Sequence, residues 1–344
     1  KRQVEHRLFE QLRGQVAERI SALQSVAAVI AELDVYAALA EVASSGSWVR
    51  PELLADRTLE IRDGRHPVVE ASLGGGERFV PNDTDLDGEQ RIALITGPNM
   101  AGKSTYIRQN ALLVLMAQMG SFVPAVSAKI GVCDRIFARV GAEDDLTRGQ
   151  STFMVEMAES AFILNLATDR SLVILVVVGR GTSTFDGIAI AWSLTEYLSE
   201  VIGARTLFAT HYAELTQLSD ELTSVKNLNV SVREWGDSIV FLHRIQEGAT
   251  DRSYGIHVAR LAGVPDAVVE RARAMLASLE ASRDDQLEKI AFGDAPKPSQ
   301  ELQLGLFAPS GPHPLEEALG AVDLNGLTPL DALNLLAKWK SDYP

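Results

Sequence analysis

The distribution of hydrophobic residues divides the chain into a helical beginning and an alternating middle. Over residues 4–43, apolar side chains recur every three or four positions, which is typical of a helix with one apolar face. From residue 91 to about residue 281, short aliphatic runs alternate with helical patterns. This order predicts one long helix followed by an α/β domain, in which helices cover both faces of a mostly parallel sheet.

Three aliphatic runs predict buried strands of that sheet: residues 91–96, 172–178 and 206–210. Residues 103–119 follow the first run and predict a helix. Towards the end of the domain, Gly263-Val264-Pro265 separates two further helical patterns.

Beyond the α/β domain the composition changes. Residues 282–300 are charged and then rich in Pro, Lys and Ser, which indicates a flexible linker, and apolar stripes return between residues 314 and 339. We therefore predict four parts: the end of a long helix with a connector (1–60), the α/β domain (61–281), a linker (282–313) and a small helical tail (314–344).

The composition narrows the possible partners and compartments. The formal net charge is −14 at pH 7, and DNA phosphates need clustered Lys and Arg, so we expect any DNA contact to be local. The single cysteine, Cys133, excludes an intrachain disulfide. The sequence has no apolar run of about 18 residues, and its first residues lack the apolar core of a signal peptide. We expect an intracellular fragment that contacts no membrane.

Residues 97–104, G-P-N-M-A-G-K-S, fit the phosphate-binding loop G-x-x-x-x-G-K-[ST] between a predicted strand and a predicted helix. Gly97 and Gly102 permit the backbone turns that point amide N–H groups inward. Lys103 can reach the β- and γ-phosphates of a nucleotide, and the Ser104 hydroxyl can ligate magnesium. The loop predicts binding of ATP or ADP together with Mg²⁺.

Three further segments surround the second and third aliphatic runs. Residues 149–157 are G-Q-S-T-F-M-V-E-M, residues 179–187 are G-R-G-T-S-T-F-D-G, and residues 209–212 are A-T-H-Y. In this order the segments resemble the ATPase domain of the MutS family of DNA mismatch repair proteins, within the wider ABC-type ATPases. The resemblance implies a P-loop ABC-type fold that follows the end of a lever helix. It also implies a cytoplasmic bacterial protein associated with the nucleoid.

The resemblance further implies a nucleotide pocket built from the loop and from residues that hold the adenine ring. The implied members are Gly97, Pro98, Asn99, Met100, Ala101, Gly102, Lys103, Ser104, Thr105, Phe79, Val80 and His243. Ala101 stands where the family usually has Gly. Stacking a base on an aromatic or imidazole plane is favourable. From residue type alone, Phe79 would belong to the core and Asn99 would serve turn geometry.

In the family, each nucleotide is closed over by the partner subunit of a dimer. The resemblance implies that Ser151 contacts the γ-phosphate held by the other chain, that His211 senses this phosphate as a switch, and that Asp186 lies in a segment crossing the interface. Without the resemblance, Ser151 would be a helix N-cap and His211 a hydrogen-bonded structural residue. Asp186 would then cap a helix that starts near Gly187.

At one position pair the chain departs from the family. In the family, the strand that corresponds to residues 172–178 ends in Asp-Glu, where the Asp holds magnesium and the Glu polarises the attacking water. This chain has Val176 and Val177 at those two positions. Neither valine binds a cation or accepts a proton, so we predict ATP binding with very weak hydrolysis. We expect no replacement by Glu143, Asp144, Asp145 or Glu156, since none follows a predicted strand beside the loop.

Residues 303–307, Q-L-G-L-F, resemble the peptide by which bacterial DNA-processing proteins dock on the replication sliding clamp. Gln303, Leu304, Leu306 and Phe307 would be its anchors. The alternative is an apolar spot that tethers the linker to its own domain. The tail after Pro314 resembles an element that pairs dimers into tetramers, and a monomeric tail that folds back is the competing interpretation.

Taken together, the resemblance implies the ATPase and dimerisation part of a mismatch repair protein, which couples nucleotide state to DNA clamping and to recruitment of MutL. Mismatched DNA would be read by domains outside these residues. Two alternatives stay open. One is a different ABC-type DNA-maintenance ATPase, whose Leu-Ser-Gly-Gly-type signature is missing here. The other is a catalytically dead module that binds nucleotide and dimerises.

Overall fold

The computed structural model describes residues 1–74, 77–141, 151–235, 238–250 and 254–291. The chain divides into two compact units, Lys1–Ala274 and Met275–Pro344. The first unit contains all the strands given below, and within the second the structure describes only residues 275–291. The predicted clamp-binding residues 303–307 and the predicted tail 314–344 lie outside the described residues.

The described part of the chain alternates helices and strands after a helical start. Its α-helices are α1 (Arg2–Glu18), α2 (Ile20–Ser45), α3 (Pro67–Ser72), α4 (Lys103–Gln118), α5 (Thr152–Leu166), α6 (Thr184–Tyr197), α7 (Leu218–Glu221), α8 (Gly255–Leu261) and α9 (Asp266–Ala291). Its strands are β1 (Glu52–Leu54), β2 (Leu59–Gly64), β3 (Asn82–Leu86), β4 (Ile92–Thr96), β5 (Ser127–Gly131), β6 (Ile136–Val140), β7 (Leu172–Val176), β8 (Arg205–Ala209), β9 (Val225–Trp235) and β10 (Ser238–Glu247).

A six-stranded sheet in the order β10-β9-β4-β8-β7-β6 forms the centre of the first unit. Strands β4, β6, β7, β8 and β9 run parallel, and β10 pairs antiparallel with β9. The prediction of a mostly parallel sheet is therefore confirmed. Because parallel strands end at the same edge, the segments after β4, β7 and β8 meet there, which is the edge where α/β sheets place their sites.

Apolar layers cover both faces of this sheet, as the uninterrupted aliphatic strands predict. On one face, Ile107 and Leu113 of α4 pack with Ile61 and Ile130 of a second sheet, ordered β1-β5-β2-β3. On the other face, Ile163 of α5 and Leu194 of α6 pack beneath the strands. The two layers fix α4, α5 and α6 relative to the strand ends.

Three predicted elements differ in the structure. The first helix is interrupted at Arg19, whose dihedrals are φ −108° and ψ 5°, so α1 and α2 replace one long helix. The apolar period continues through the break and does not reveal it. The second predicted strand ends at Val176 instead of residue 178, because Val177 has a φ of 56°. Helix α9 reaches Ala291, so the beginning of the predicted linker is helical.

Within the described residues, no helix combines the length and the apolar character needed to cross a membrane.

Candidate functional site

The phosphate-binding loop turns sharply between β4 and α4. Gly97 and Gly102 have φ values of 129° and 106°, which glycine tolerates and other residues rarely adopt. Met100 also has a positive φ, 66°, and its side chain is 76% exposed. The loop that the sequence predicts therefore lies between a strand and a helix, and the two glycines provide its turns.

Lys103 is buried at the start of α4, with 5% of its surface exposed. Its Nζ donates to the carbonyl oxygen of Gly97 and, at 2.9 Å, to that of Pro98. Desolvation lowers the pKa of Lys103 to about 8, and the positive charge of Arg180 adds to this effect. A buried cation held only by neutral carbonyls is suited to receive an anion, because the anion supplies the missing opposite charge.

The remaining loop residues surround this lysine. Pro98 and Ala101 are buried, Asn99 is exposed, and Ser104 and Thr105 are half-buried in the first turn of α4. All predicted loop residues are thus gathered around one turn.

A cavity of about 240 Å³ beside the loop collects the predicted adenine contacts. Phe79, Val80 and His243 line it together with Met100 and Thr105 of the loop. Segments that are far apart in the sequence therefore converge where the base of a nucleotide would lie.

His243 is fixed in this cavity by two contacts. Its Nδ1 lies 3.0 Å from the carbonyl oxygen of Ala101, and its own carbonyl oxygen accepts from Asn82 Nδ2 at 2.9 Å. The Asn82 side chain also accepts from the backbone N–H of Ile245 at 2.7 Å, so it joins β3 to β10 beside the irregular pairing of β10. Asn82 was not predicted as a site residue. The feature that could have indicated it is a polar side chain at an inward position of a strand.

A larger cavity, about 600 Å³, lies at the other end of α4 and is lined by Arg50 and Phe122 among others. It contains no residue predicted for the site.

The end of β7 carries the departure from the family. Val176 and Val177 are half-buried and line a cavity of about 280 Å³ with Glu156, Arg180 and others. The φ of 56° at Val177 is unfavourable for a β-branched residue. Its backbone N–H still donates to the carbonyl oxygen of Ala209 at 2.8 Å, so the turn is anchored to β8.

A buried ion pair supports this strand end. Arg139 Nη2 donates to Glu156 Oε2 at 2.9 Å, and both side chains are 5% exposed. Arg139 Nη1 also donates to the carbonyl oxygens of Val176 and Val177, at 3.2 and 3.1 Å. Glu156 Oε1 accepts the backbone N–H of Gly179. The pair thus holds the turn from both sides.

The position of Glu156 differs from our expectation. The sequence places it away from any strand end, whereas the structure brings its carboxylate into the cavity beside Val176 and Val177. Both of its oxygens are already hydrogen-bonded to Arg139 and Gly179. Sequence analysis missed this pair, although Arg139 occupies an inward position in β6 and thereby signals a buried partner.

His211 follows β8 and lies near the loop. The residue is exposed as a whole, but its imidazole is partly desolvated, which lowers its pKa to about 4 together with the positive charges of Lys103 and Arg180. The imidazole is therefore neutral at pH 7 and presents one N–H donor and one acceptor. The neighbouring Tyr212 donates its hydroxyl to the carbonyl oxygen of Gly179 at 2.8 Å.

Ser151 and Asp186 both lie at helix beginnings. Ser151 accepts from the backbone N–H of Met154 at 3.2 Å, so it is the N-cap of α5. Helix α6 begins at Thr184, and Ser183 caps it by accepting from the N–H of Asp186 at 3.3 Å. The alternative in which Asp186 caps a helix near Gly187 is therefore wrong, because α6 begins earlier. Residues 149 and 150 lie outside the described residues.

Comparison with known proteins covers the loop, the strand ends and the tail. Residues 93–280 match the family model described as MutS domain V, and residues 308–336 match the one described as the DNA mismatch repair protein MutS C-terminal region. The DNA mismatch repair protein MutS of Rhodopirellula baltica is 54% identical over 343 residues, which is 98% of this chain and 38% of that protein. Its counterpart from Acetivibrio thermocellus is 53% identical over 339 residues, covering 97% of this chain and 39% of that protein.

The DNA mismatch repair protein MutS of Methanococcoides burtonii is 51% identical over 349 residues, covering 97% of this chain and 39% of that protein. The chain therefore spans about two fifths of the length of these relatives. The domain V match includes the phosphate-binding loop, both strand ends and His211, and it covers more than half of the 344 residues. The chain belongs to the MutS family of DNA mismatch repair proteins and contains that family's ATPase domain.

Proposed function

We propose that this chain binds ATP and ADP at the loop between β4 and α4 and uses the bound nucleotide to control dimerisation. Lys103 supports the proposal because it is a buried cation without a carboxylate partner among the described residues. The cavity lined by Phe79, Val80 and His243 supports it further, since its size and position suit an adenine ring next to the loop.

The same site hydrolyses ATP only weakly. The observation that carries this part of the proposal is the pair Val176 and Val177 at the strand end, where the family has two carboxylates. Glu156 is the carboxylate that lines that cavity, and its hydrogen bonds from Arg139 and from the Gly179 N–H commit it to holding the turn instead of to polarising a water molecule. Loss of a general base removes about two to four orders of magnitude of rate.

The test compares ATP turnover of the chain with that of the double variant Val176→Asp, Val177→Glu. The matched control is Val176→Asn, Val177→Gln, which has the same shapes without the negative charges. We expect turnover to rise by at least about a hundredfold in the first variant and to stay low in the control. Turnover by the unchanged chain at the level that is usual for the family would refute the weak hydrolysis.

A catalytically dead, nucleotide-gated binding module is the second candidate, and the same two valines favour it. It predicts that the carboxylate variant binds ATP without gaining turnover. The two candidates therefore differ in one measured rate.

Dimerisation is proposed from the resemblance and from the placement of two side chains. Ser151 is the N-cap of α5 and Asp186 lies in the first turn of α6, and both residues are exposed. We propose that Ser151 approaches the γ-phosphate held by a partner subunit, and that His211 reports the presence of this phosphate to the rest of the domain. Replacing Ser151 by Ala should weaken ATP-dependent dimerisation in analytical ultracentrifugation without weakening ATP binding by the monomer.

The relatives are named as DNA mismatch repair proteins, and we propose the same process for the protein that contains this chain. In this proposal nucleotide state controls DNA clamping and MutL recruitment, and mismatched DNA is read elsewhere. The four parts predicted from the sequence belong to the same proposal, with the start of the linker moved to the end of α9 at Ala291. Residues 314–344 would pair dimers into tetramers, and residues 303–307 would dock on the sliding clamp. Deleting residues 303–307 should abolish capture by immobilised clamp, and unchanged capture would exclude this role.

A further inference from the structure

The family implies a magnesium ion beside the phosphates, so the residues of this chain can be tested against what that ion needs. Mg²⁺ requires a near-octahedral set of oxygens at about 2.0–2.1 Å, and proteins usually supply one or two carboxylates beside the nucleotide's own phosphates. Ser104 is the one predicted ligand in the loop. Among the described residues, no three His, Cys, Asp or Glu side chains come together as a cation site.

The two backbone carbonyl oxygens at the strand end already accept hydrogen bonds from a positively charged group. The carbonyl oxygens of Val176 and Val177 both accept from the Arg139 guanidinium, at 3.2 and 3.1 Å. Arg139 therefore places a fixed positive group where the family's strand end meets its metal. A divalent cation would have to approach this positive charge without a free carboxylate in return.

The Glu156 carboxylate, which lines this cavity, does not replace the two missing carboxylates. Glu156 is 4% exposed, its Oε2 is bound to Arg139, and its Oε1 is bound to the Gly179 N–H. Releasing it would take from the buried Arg139 its one buried carboxylate partner among the described residues, which is unfavourable. The residues present therefore do not fit a resident magnesium site.

Two positively charged side chains, Lys103 and Arg180, lie in the same region. Arg180 is exposed and lines the cavity that contains Val177. Its positive charge helps to lower the pKa of Lys103 and that of His211, so it lies near both side chains. Because valines stand where the family has two carboxylates, a phosphate bound near Lys103 and Arg180 would meet their positive charges without those two negative groups. These positive charges can neutralise part of the charge that a metal ion normally neutralises.

We propose that this site binds adenine nucleotides in their metal-free form, with Lys103 and Arg180 neutralising the phosphates in place of a divalent cation. The inference rests on the proposed nucleotide binding and specifies the form of the ligand. It separates this chain from a site that needs a metal–nucleotide complex.

The test uses the whole 344-residue chain and measures the Kd of ATP by equilibrium dialysis, once with excess MgCl₂ and once with excess EDTA. We expect the two Kd values to agree within about threefold. Val176→Asp restores one carboxylate at the strand end, and we expect its ATP affinity to become at least about tenfold tighter with magnesium than with EDTA. Val176→Asn is the matched control, and it should retain the metal-independent behaviour of the unchanged chain.

Arg180→Gln provides a second test that does not disturb the core, because the side chain is exposed. We expect it to weaken ATP binding in EDTA by roughly tenfold. Tight binding with magnesium and a loss of tenfold or more in EDTA would overturn the metal-free inference while leaving nucleotide binding intact. A failure to bind ATP under both conditions would overturn the proposed function and this inference with it.

Discussion

The ends of β4 and β7 lie at one edge of the sheet, but they differ in what they offer a nucleotide. After β4, two glycines with positive φ and the buried Lys103 form a complete phosphate-binding turn. At the end of β7, Val176 and Val177 occupy the positions where the family has two carboxylates, and Arg139 and Glu156 hold the turn by hydrogen bonds. We propose that nucleotide binding depends on the first strand end and hydrolysis on the second. A site built in this way can lose hydrolysis without losing binding.

The largest expected effect is a loss of stability when one member of the buried ion pair beside the end of β7 is removed. Glu156→Gln leaves Arg139 buried opposite a neutral group, and we expect the free energy of unfolding to fall by about 3–5 kcal/mol. Chemical denaturation measures this change. Glu159→Gln is the control in the same helix, since its carboxylate is 48% exposed and lies 3.5 Å from Arg139 Nε. It should cost less than about 1 kcal/mol, and equal losses in both variants would contradict the role assigned to the buried Arg139–Glu156 ion pair.

The corresponding test of the region after β4 is Lys103→Met. Loss of the charge should weaken ATP binding by roughly ten- to a hundredfold, since hydrogen bonds to charged groups contribute about 1.5–3 kcal/mol. The free energy of unfolding should stay equal or rise, because the lowered pKa of Lys103 means that its charge is unfavourable in the folded state without a ligand. Titration calorimetry and denaturation provide the two values. The exposed Lys129→Met is the control for a change of net charge.

The two valines at the end of β7 differ in backbone conformation, so glycine substitutions at the two positions should have different effects on stability. Val177 has a φ of 56°, which costs a non-glycine residue about 1–3 kcal/mol, whereas Val176 still belongs to β7. Glycine relieves this strain at residue 177 but weakens the strand at residue 176. We expect Val177→Gly to be more stable than Val176→Gly by about 1–2 kcal/mol. Equal thermal stability of the two variants would remove the claim of strain.

The smallest expected effect concerns pH and His211. Its pKa is lowered to about 4 in the folded chain from an ordinary value near 6.5, so the unfolded chain binds the extra proton more readily. Stability should therefore be complete above about pH 6.5 and decline as the pH falls towards 4. His211→Gln should reduce this decline between pH 7 and pH 4.5. An identical pH dependence of unfolding with and without His211 would show that its imidazole is not desolvated.

The phosphate-binding turn could be predicted from the sequence because its requirements are local. Positive φ at Gly97 and Gly102 and a lysine at the first helical position are properties of one octamer. The adenine cavity could not be derived in this way. Phe79 and His243 are brought together by the pairing of distant strands, and the resemblance to a family supplied what local patterns lacked.

The ion pair that holds the end of β7 could not be predicted from local sequence patterns either. Arg139 and Glu156 are 17 positions apart, and their pairing depends on how α5 packs on the sheet. The interruption at Arg19 leaves the apolar period intact, so no change in pattern marks it. The positive φ of Val177 runs against the preference of valine and reflects the hydrogen bond from its N–H to Ala209.

The fate of a single bound nucleotide tests most directly whether the two strand ends act separately. The chain, in excess over ATP labelled on the γ-phosphate, is incubated and quenched with acid, and the label in intact ATP and in free phosphate is measured beside the Val176→Asp, Val177→Glu variant. We predict that the unchanged chain retains the label as bound ATP for hours, while the variant releases it as phosphate. Rapid release of phosphate by the unchanged chain would contradict the account.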